Sequence, residues 1–112
     1  MKGLKILSGA LALMGISHLS DEVRKTGLYV INVICEDLEI PPLDNIENKL
    51  SPLSEKELVA LTYGVATKLC ASMGDEYLKD VFQQAYTEKR KQLKASVSRI
   101  KNSIFTGEMK NE

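Results

Sequence analysis

Residues 75–105, DEYLKDVFQQAYTEKRKQLKASVSRIKNSIF, contain neither proline nor glycine. Apolar side chains recur at Leu78, Phe82, Ala85, Leu93, Val97, Ile100 and Ile104, three or four apart except for one gap of eight that spans Lys89. That period places them on one face of a helix, so the stretch reads as a single long amphipathic helix. At 1.5 Å per residue it would be roughly 45 Å long, more than the width of a compact domain of this size. Part of its apolar stripe is therefore expected to meet something beyond an ordinary core.

Working outward, the segment just before it has the clearest start signal in the chain. Ser54 followed by Glu57 forms an S-x-x-E capping box behind Pro52 and Leu53. Leu58, Leu61, Val65, Leu69 and Met73 then make the apolar face of a third helix. Gly74 supplies the left-handed residue that ends it, and Asp75 caps the long helix at once. So short a turn makes the two helices antiparallel neighbours, an αα-hairpin. Gly64 costs a helix interior about 1 kcal/mol relative to alanine, which points to close approach of another helix.

Upstream lies a connector, residues 39–53, with Pro41-Pro42, Asn45, Asn48, Ser51 and Pro52. Its apolar residues Ile40, Leu43, Ile46, Leu50 and Leu53 are too numerous for a free linker. It is expected to pack back onto the helices, with a short helical turn from Asp44 to Leu50. Before it, Ser17 or Ser20 can cap a helix whose first turn holds Asp21 and Glu22. Its apolar face is Val23, Gly27, Val30, Ile31, Ile34, Cys35 and Leu38. The β-branched run within 28–35 also permits a strand, but no second run of that kind offers it a partner, and helix is the better reading.

The first segment, residues 1–17, joins a short basic start to an apolar run from Ile6 to Ile16. It fits a helix buried in the fold or covered by a partner, an export signal lacking an A-x-A site, or an interfacial membrane anchor. The buried helix is expected: the run is too short to span a bilayer, which takes about 20 residues. Full burial of each of its large side chains is worth about 1.5–3 kcal/mol.

The 112 residues carry 15 basic and 15 acidic side chains, 44% hydrophobic and 27% charged residues. This is the composition of a globular chain, with no overall charge to draw it to nucleic acid or an anionic membrane. The expectation is one all-α domain over 1–112, a small bundle of about four helices with a long C-terminal helix.

Chemistry is sparse. Cys35 and Cys70 fall on apolar helix faces and read as buried thiols, or as a disulfide if the chain is exported. His18, the only histidine, lies in an interhelical turn and has no reason to approach either cysteine. The carboxylates Glu36, Asp37, Glu39, Asp44 and Glu47 do not match a calcium loop. No catalytic, cofactor or metal residue is nominated, and an enzyme is not expected. Glu36 and Asp37 stand near a helix C-terminus, where negative charge is unfavourable by about 0.3–1 kcal/mol.

Against that acidic pole stands a basic one on the long helix: Lys89, Arg90, Lys91, Lys94, Arg99 and Lys101. It reads as a solvated face, or one paired with the acidic segment 36–57 of the same or a neighbouring subunit. Nucleic-acid binding is the weaker reading, because no recognition helix precedes it and the aromatics Tyr77, Phe82 and Tyr86 lie upstream, on or near the buried stripe. The candidate interaction surface is Lys89, Arg90, Lys91, Leu93, Lys94, Val97, Arg99, Ile100, Lys101 and Ile104. The expected function is a non-catalytic protein–protein interaction module, an adaptor, subunit or small inhibitor, cytoplasmic and acting on a protein partner or on itself as a homo-oligomer. The alternatives are an exported helical domain with a Cys35–Cys70 disulfide and a nucleic-acid binder; membrane association through residues 1–17 is not favoured.

Overall fold

The computed structural model describes the backbone of residues 1–111 and the side chains of residues 1–94. Four helices follow in order: α1 (Gly3–Leu13), α2 (Asp21–Asp37), α3 (Glu55–Ser72) and α4 (Glu76–Asn111). Helix α3 is the centre, and each of the other three packs on it. The apolar run of α2 is helical throughout, and Ser20 caps it by accepting from Val23 N–H at 3.2 Å. Both halves of the capping box at α3 form: Ser54 Oγ accepts from Glu57 N–H at 3.1 Å, and Glu57 Oε1 accepts from Ser54 N–H at 3.0 Å.

Three helix ends use one device. After α1, α2 and α3 a residue with positive φ turns the chain, and the next residue donates back to the helix: Ile16 N–H to Leu11 O at 2.9 Å, Ile40 N–H to Cys35 O at 2.8 Å, Asp75 N–H to Cys70 O at 3.0 Å. Those bonds close Schellman motifs. Gly15 and Gly74 hold the left-handed position in two of them; Glu39, at φ 60, holds it in the third. Asp75 then caps α4 by accepting from Leu78 N–H at 3.0 Å.

Five expectations change. The third helix does not bury one face only: Ala60, Gly64, Ala66 and Thr67 are buried as well as Leu61, Val65 and Leu69, because neighbours surround it. Met73 is 45% exposed, since it caps the helix where the chain turns away, and Tyr77 is 78% exposed, since it stands on the flank of α4 rather than in its stripe. Residues 44–50 form turns, not a helical turn, and Lys2 pairs with Lys49 as an isolated β-bridge. The long helix also continues past Phe105 to Asn111, through Gly107.

The connector has a structural task that explains its apolar content. Lys2 offers α1 no side-chain cap; instead Gly3 N–H donates to Asn48 O at 3.1 Å and Leu4 N–H to Ile46 O at 2.9 Å, so connector carbonyls take up the open end of α1. Asn32 on α2 grips the connector, its amide donating to Leu43 O and accepting from Leu43 N–H, both at 2.8 Å. Ile40, Leu43, Ile46 and Leu50 are buried in the same core as Ile6, Leu7 and Leu11 of α1. The Ile6–Ile16 run thus forms part of the fold, although Leu13 remains partly exposed.

Gly64 lies where α2 and α4 both meet α3. A Cβ there would stand 2.6 Å from Ile34 Cγ2 and 2.8 Å from Tyr86 Cε1. Gly64→Ala should therefore lower stability by about 1–2 kcal/mol, because overpacking outweighs the gain in helix propensity. Glu39→Gly should raise it by about 1 kcal/mol, because a side chain at left-handed φ carries that cost. Urea unfolding midpoints followed by circular dichroism check both signs.

Candidate interaction surface

The elements around α4 decide which members of its basic face are free. Lys89 Nζ lies 5.0 Å from the centre of the Tyr63 ring, a cation–π contact, and Tyr63 itself meets Phe82 edge to face with centroids 6.0 Å apart. Arg90 Nε lies 2.8 Å from Asp37 Oδ2 at the end of α2. Its N–H is not aligned for a hydrogen bond, so the contact is one of charge. The directed bond to the same oxygen comes from the Tyr86 hydroxyl. Asp37 is thus held by two residues one helical turn apart on α4, and this offsets its unfavourable place at a helix C-terminus.

Tyr86 is almost wholly buried. Desolvation first, and then the bond to Asp37, raises its phenol well above the usual tyrosine range. The hydroxyl stays protonated and donating at any physiological pH.

These residues form one wall of a cleft of about 690 Å³ between α2 and α4, floored by Gly64, Thr67 and Lys68 of α3. Glu36, Asp37 and Glu39 line one side of it and Gln83, Thr87, Arg90 and Lys94 the other. The opposite flank of α4 faces apolar surface. Leu93 lies with Lys89 against Glu55, Lys56 and Val59 at the start of α3. Beyond it, an apolar cleft runs between α1 and α3, lined by Met1, Leu13, Leu58, Val59 and Tyr63. Compared with known protein families, with curated proteins and with solved structures, the chain matches none.

Of the residues nominated from sequence, the structure brings Lys89, Arg90, Leu93 and Lys94 onto the flanks of α4 beside α3, and Lys91 is exposed. Val97, Arg99, Ile100, Lys101 and Ile104 lie outside the described side chains. Sequence reasoning missed Met1, Leu13, Val59 and Val81, which are exposed although apolar. For Val59 a signal exists: it stands one position off the Leu58–Leu61 stripe, as Val81 stands one off Phe82.

Cys35 and Cys70 are buried free thiols, so the disulfide of the exported-domain reading is not formed. Burial pushes the Cys35 thiol up to about 11. It raises Cys70 too, with a smaller contribution from Asp75. Both are thereby kept from the reactive thiolate form. His18 is exposed, and among the described residues no group of His, Cys, Asp and Glu side chains is placed to hold a metal ion.

Tyr86→Phe should cost about 1–2 kcal/mol, since it removes a buried donor to a charged acceptor. Arg90→Met should cost less than about 1 kcal/mol, because that pair is half exposed and screened. The order of the two losses in urea unfolding distinguishes the hydroxyl from the guanidinium as the tie between α2 and α4.

Proposed function

We propose that the chain is a non-catalytic protein–protein interaction module whose working surface is the second half of α4. What carries this reading is a mismatch of lengths. Helix α3 has 18 residues and α4 has 36. The two run antiparallel, and Lys89–Leu93 already lie beside Glu55 and Lys56 in the first turn of α3. No α3 remains to pair with α4 after that point. Yet the sequence continues the core spacing through Val97, Ile100 and Ile104. Covering each such side chain is worth about 1.5–3 kcal/mol, and a partner's surface is the natural cover.

Two observations weigh against the alternatives. Lys89 and Arg90 already serve Tyr63 and Asp37, so fewer cations face outward for phosphates than a count of the basic run suggests. Helix α1 contributes Ile6, Leu7, Ala10 and Leu11 to the core, and removal of residues 1–17 would strip them from it. No helix among the described residues is long and apolar enough to cross a membrane.

The test is Ile100→Asp with Ile104→Asp in the full chain. Complex or dimer formation, measured by light scattering on protein purified from its native host, should disappear while helical circular dichroism is retained. Assembly that survives the double change would show that this half of α4 is not the working surface.

A further inference from the structure

Charge in the cleft between α2 and α4 is sorted by wall. The α2 side carries only acids, Glu36, Asp37 and Glu39, whereas the side formed by α3 and α4 carries only bases, Lys68, Arg90 and Lys94. Asp37 and Arg90 meet across it. Among the described residues the other four, Glu36, Glu39, Lys68 and Lys94, enter no ion pair. The walls stand apart: both helices pack on α3, but among the described residues no Cα of α2 comes within 8 Å of one in α4. At about 690 Å³ the cleft falls within the range of small-ligand sites, about 300–1,000 Å³.

Arg90 supplies a second, independent sign that an acceptor belongs here. Among the described residues its Nε is the buried side-chain nitrogen or oxygen that lacks a hydrogen-bond partner. The Asp37 oxygen beside it already accepts from the Tyr86 hydroxyl, so Asp37 stays satisfied if the guanidinium turns toward an incoming acid. Buried donors are nearly always paired, and guanidinium groups pair with carboxylates through two parallel N–H bonds. Along the same wall Gln83 donates to Thr87 Oγ1 at 3.3 Å, which leaves the Gln83 carbonyl and the Thr87 hydroxyl proton for the amides of a main chain. Val33 adds apolar surface on the α2 side.

A ligand that bridges these walls is positive at one end, negative at the other and long enough to reach both. A single amino acid carries both charges on one carbon, whereas two to four extended residues reach about 7–14 Å. A polyanion such as nucleic acid is repelled by the α2 wall. We infer that the cleft binds a short peptide with free termini, its ammonium group on Glu36 and Glu39 and its carboxylate on Arg90, Lys94 and Lys68. The site lies apart from the Val97–Ile104 stripe and does not depend on how that stripe is covered.

Amide chemical-shift titration of the isotope-labelled full chain tests this, with alanine and its di-, tri- and tetrapeptides as probes and circular dichroism as the check on folding. At least one of the peptides should bind at millimolar concentration and shift the amides around Glu36 and Arg90, and free alanine should bind at least ten-fold more weakly. Acetylating the amino end or amidating the carboxyl end of the tightest peptide should each weaken it about ten-fold, the effect of one lost charge-assisted contact. Lys68→Gln with Lys94→Gln should weaken the free peptide as much but leave the amidated one unchanged. Glu36→Gln with Glu39→Gln should weaken the free peptide but leave the acetylated one unchanged. All four side chains are exposed, so these variants should fold. No binding by any of the peptides, or shifts confined to other surfaces, overturns the site. Binding indifferent to end-blocking, or as tight for alanine as for the peptides, overturns the bridging of the two walls. Losses exchanged between the two variants overturn the direction in which the peptide lies.

Discussion

The fold depends on the burial of α3 on nearly all sides, and that burial depends on the small residues along it. Gly64 admits Ile34 of α2 and the ring of Tyr86 of α4 into contact with the α3 backbone. Ala60 and Ala66 add further inaccessible positions, and Thr67 hides its hydroxyl by donating to Tyr63 O at 2.9 Å. A larger residue at any of these points would push a neighbouring helix outward and open the core. Since α1, α2 and α4 touch α3 more than one another, the central helix sets the spacing of the whole bundle.

Two polar devices hold the outer elements in register around that centre. At one end, connector carbonyls occupy the N-terminus of α1 and Asn32 fastens the connector to α2, so the proline-containing connector 39–53 behaves as a layer of the core. At the other, Asp37 ties the end of α2 to Tyr86 and Arg90. The two carboxylates at the end of α2 are unfavourable for an isolated helix, and α4 offsets one of them. Local cost and tertiary contact are thus coupled at Asp37, as they are at Gly64.

Much of this was legible in the sequence where a single residue has a single physical use. The Ser54–Glu57 box, Gly74 followed by Asp75, and the connector's prolines all act on the backbone within a few residues of themselves, and each stands where the pattern puts it. The close approach at Gly64 was also readable, because a mid-helix glycine has a cost that something must repay. What stayed hidden depends on tertiary neighbours. A one-face stripe does not reveal that alanine, glycine and threonine on other faces are buried too. Nor does it show that Tyr77 and Met73, apolar by composition, are left outside. Glu39 at left-handed φ was unreadable for a related reason: the Schellman turn needs the conformation, and no glycine marks it.

The candidate surface divides along the same line. Lys89 and Arg90 belong to a run that reads as one uniform basic face, but Tyr63 and Asp37 turn these two inward and make them part of the scaffold. Helix α3 begins at Glu55, beside Lys89 and Leu93 of α4, and the next residue of the apolar period along the α4 sequence is Val97. A helix with no further use would end near there, since an isolated helical segment in water is marginal without tertiary support. Instead the apolar period runs on through Ile100 and Ile104 in phase with Phe82 and Leu93. A period that stays in phase after α3 has ended is the feature on which the proposed interaction surface rests.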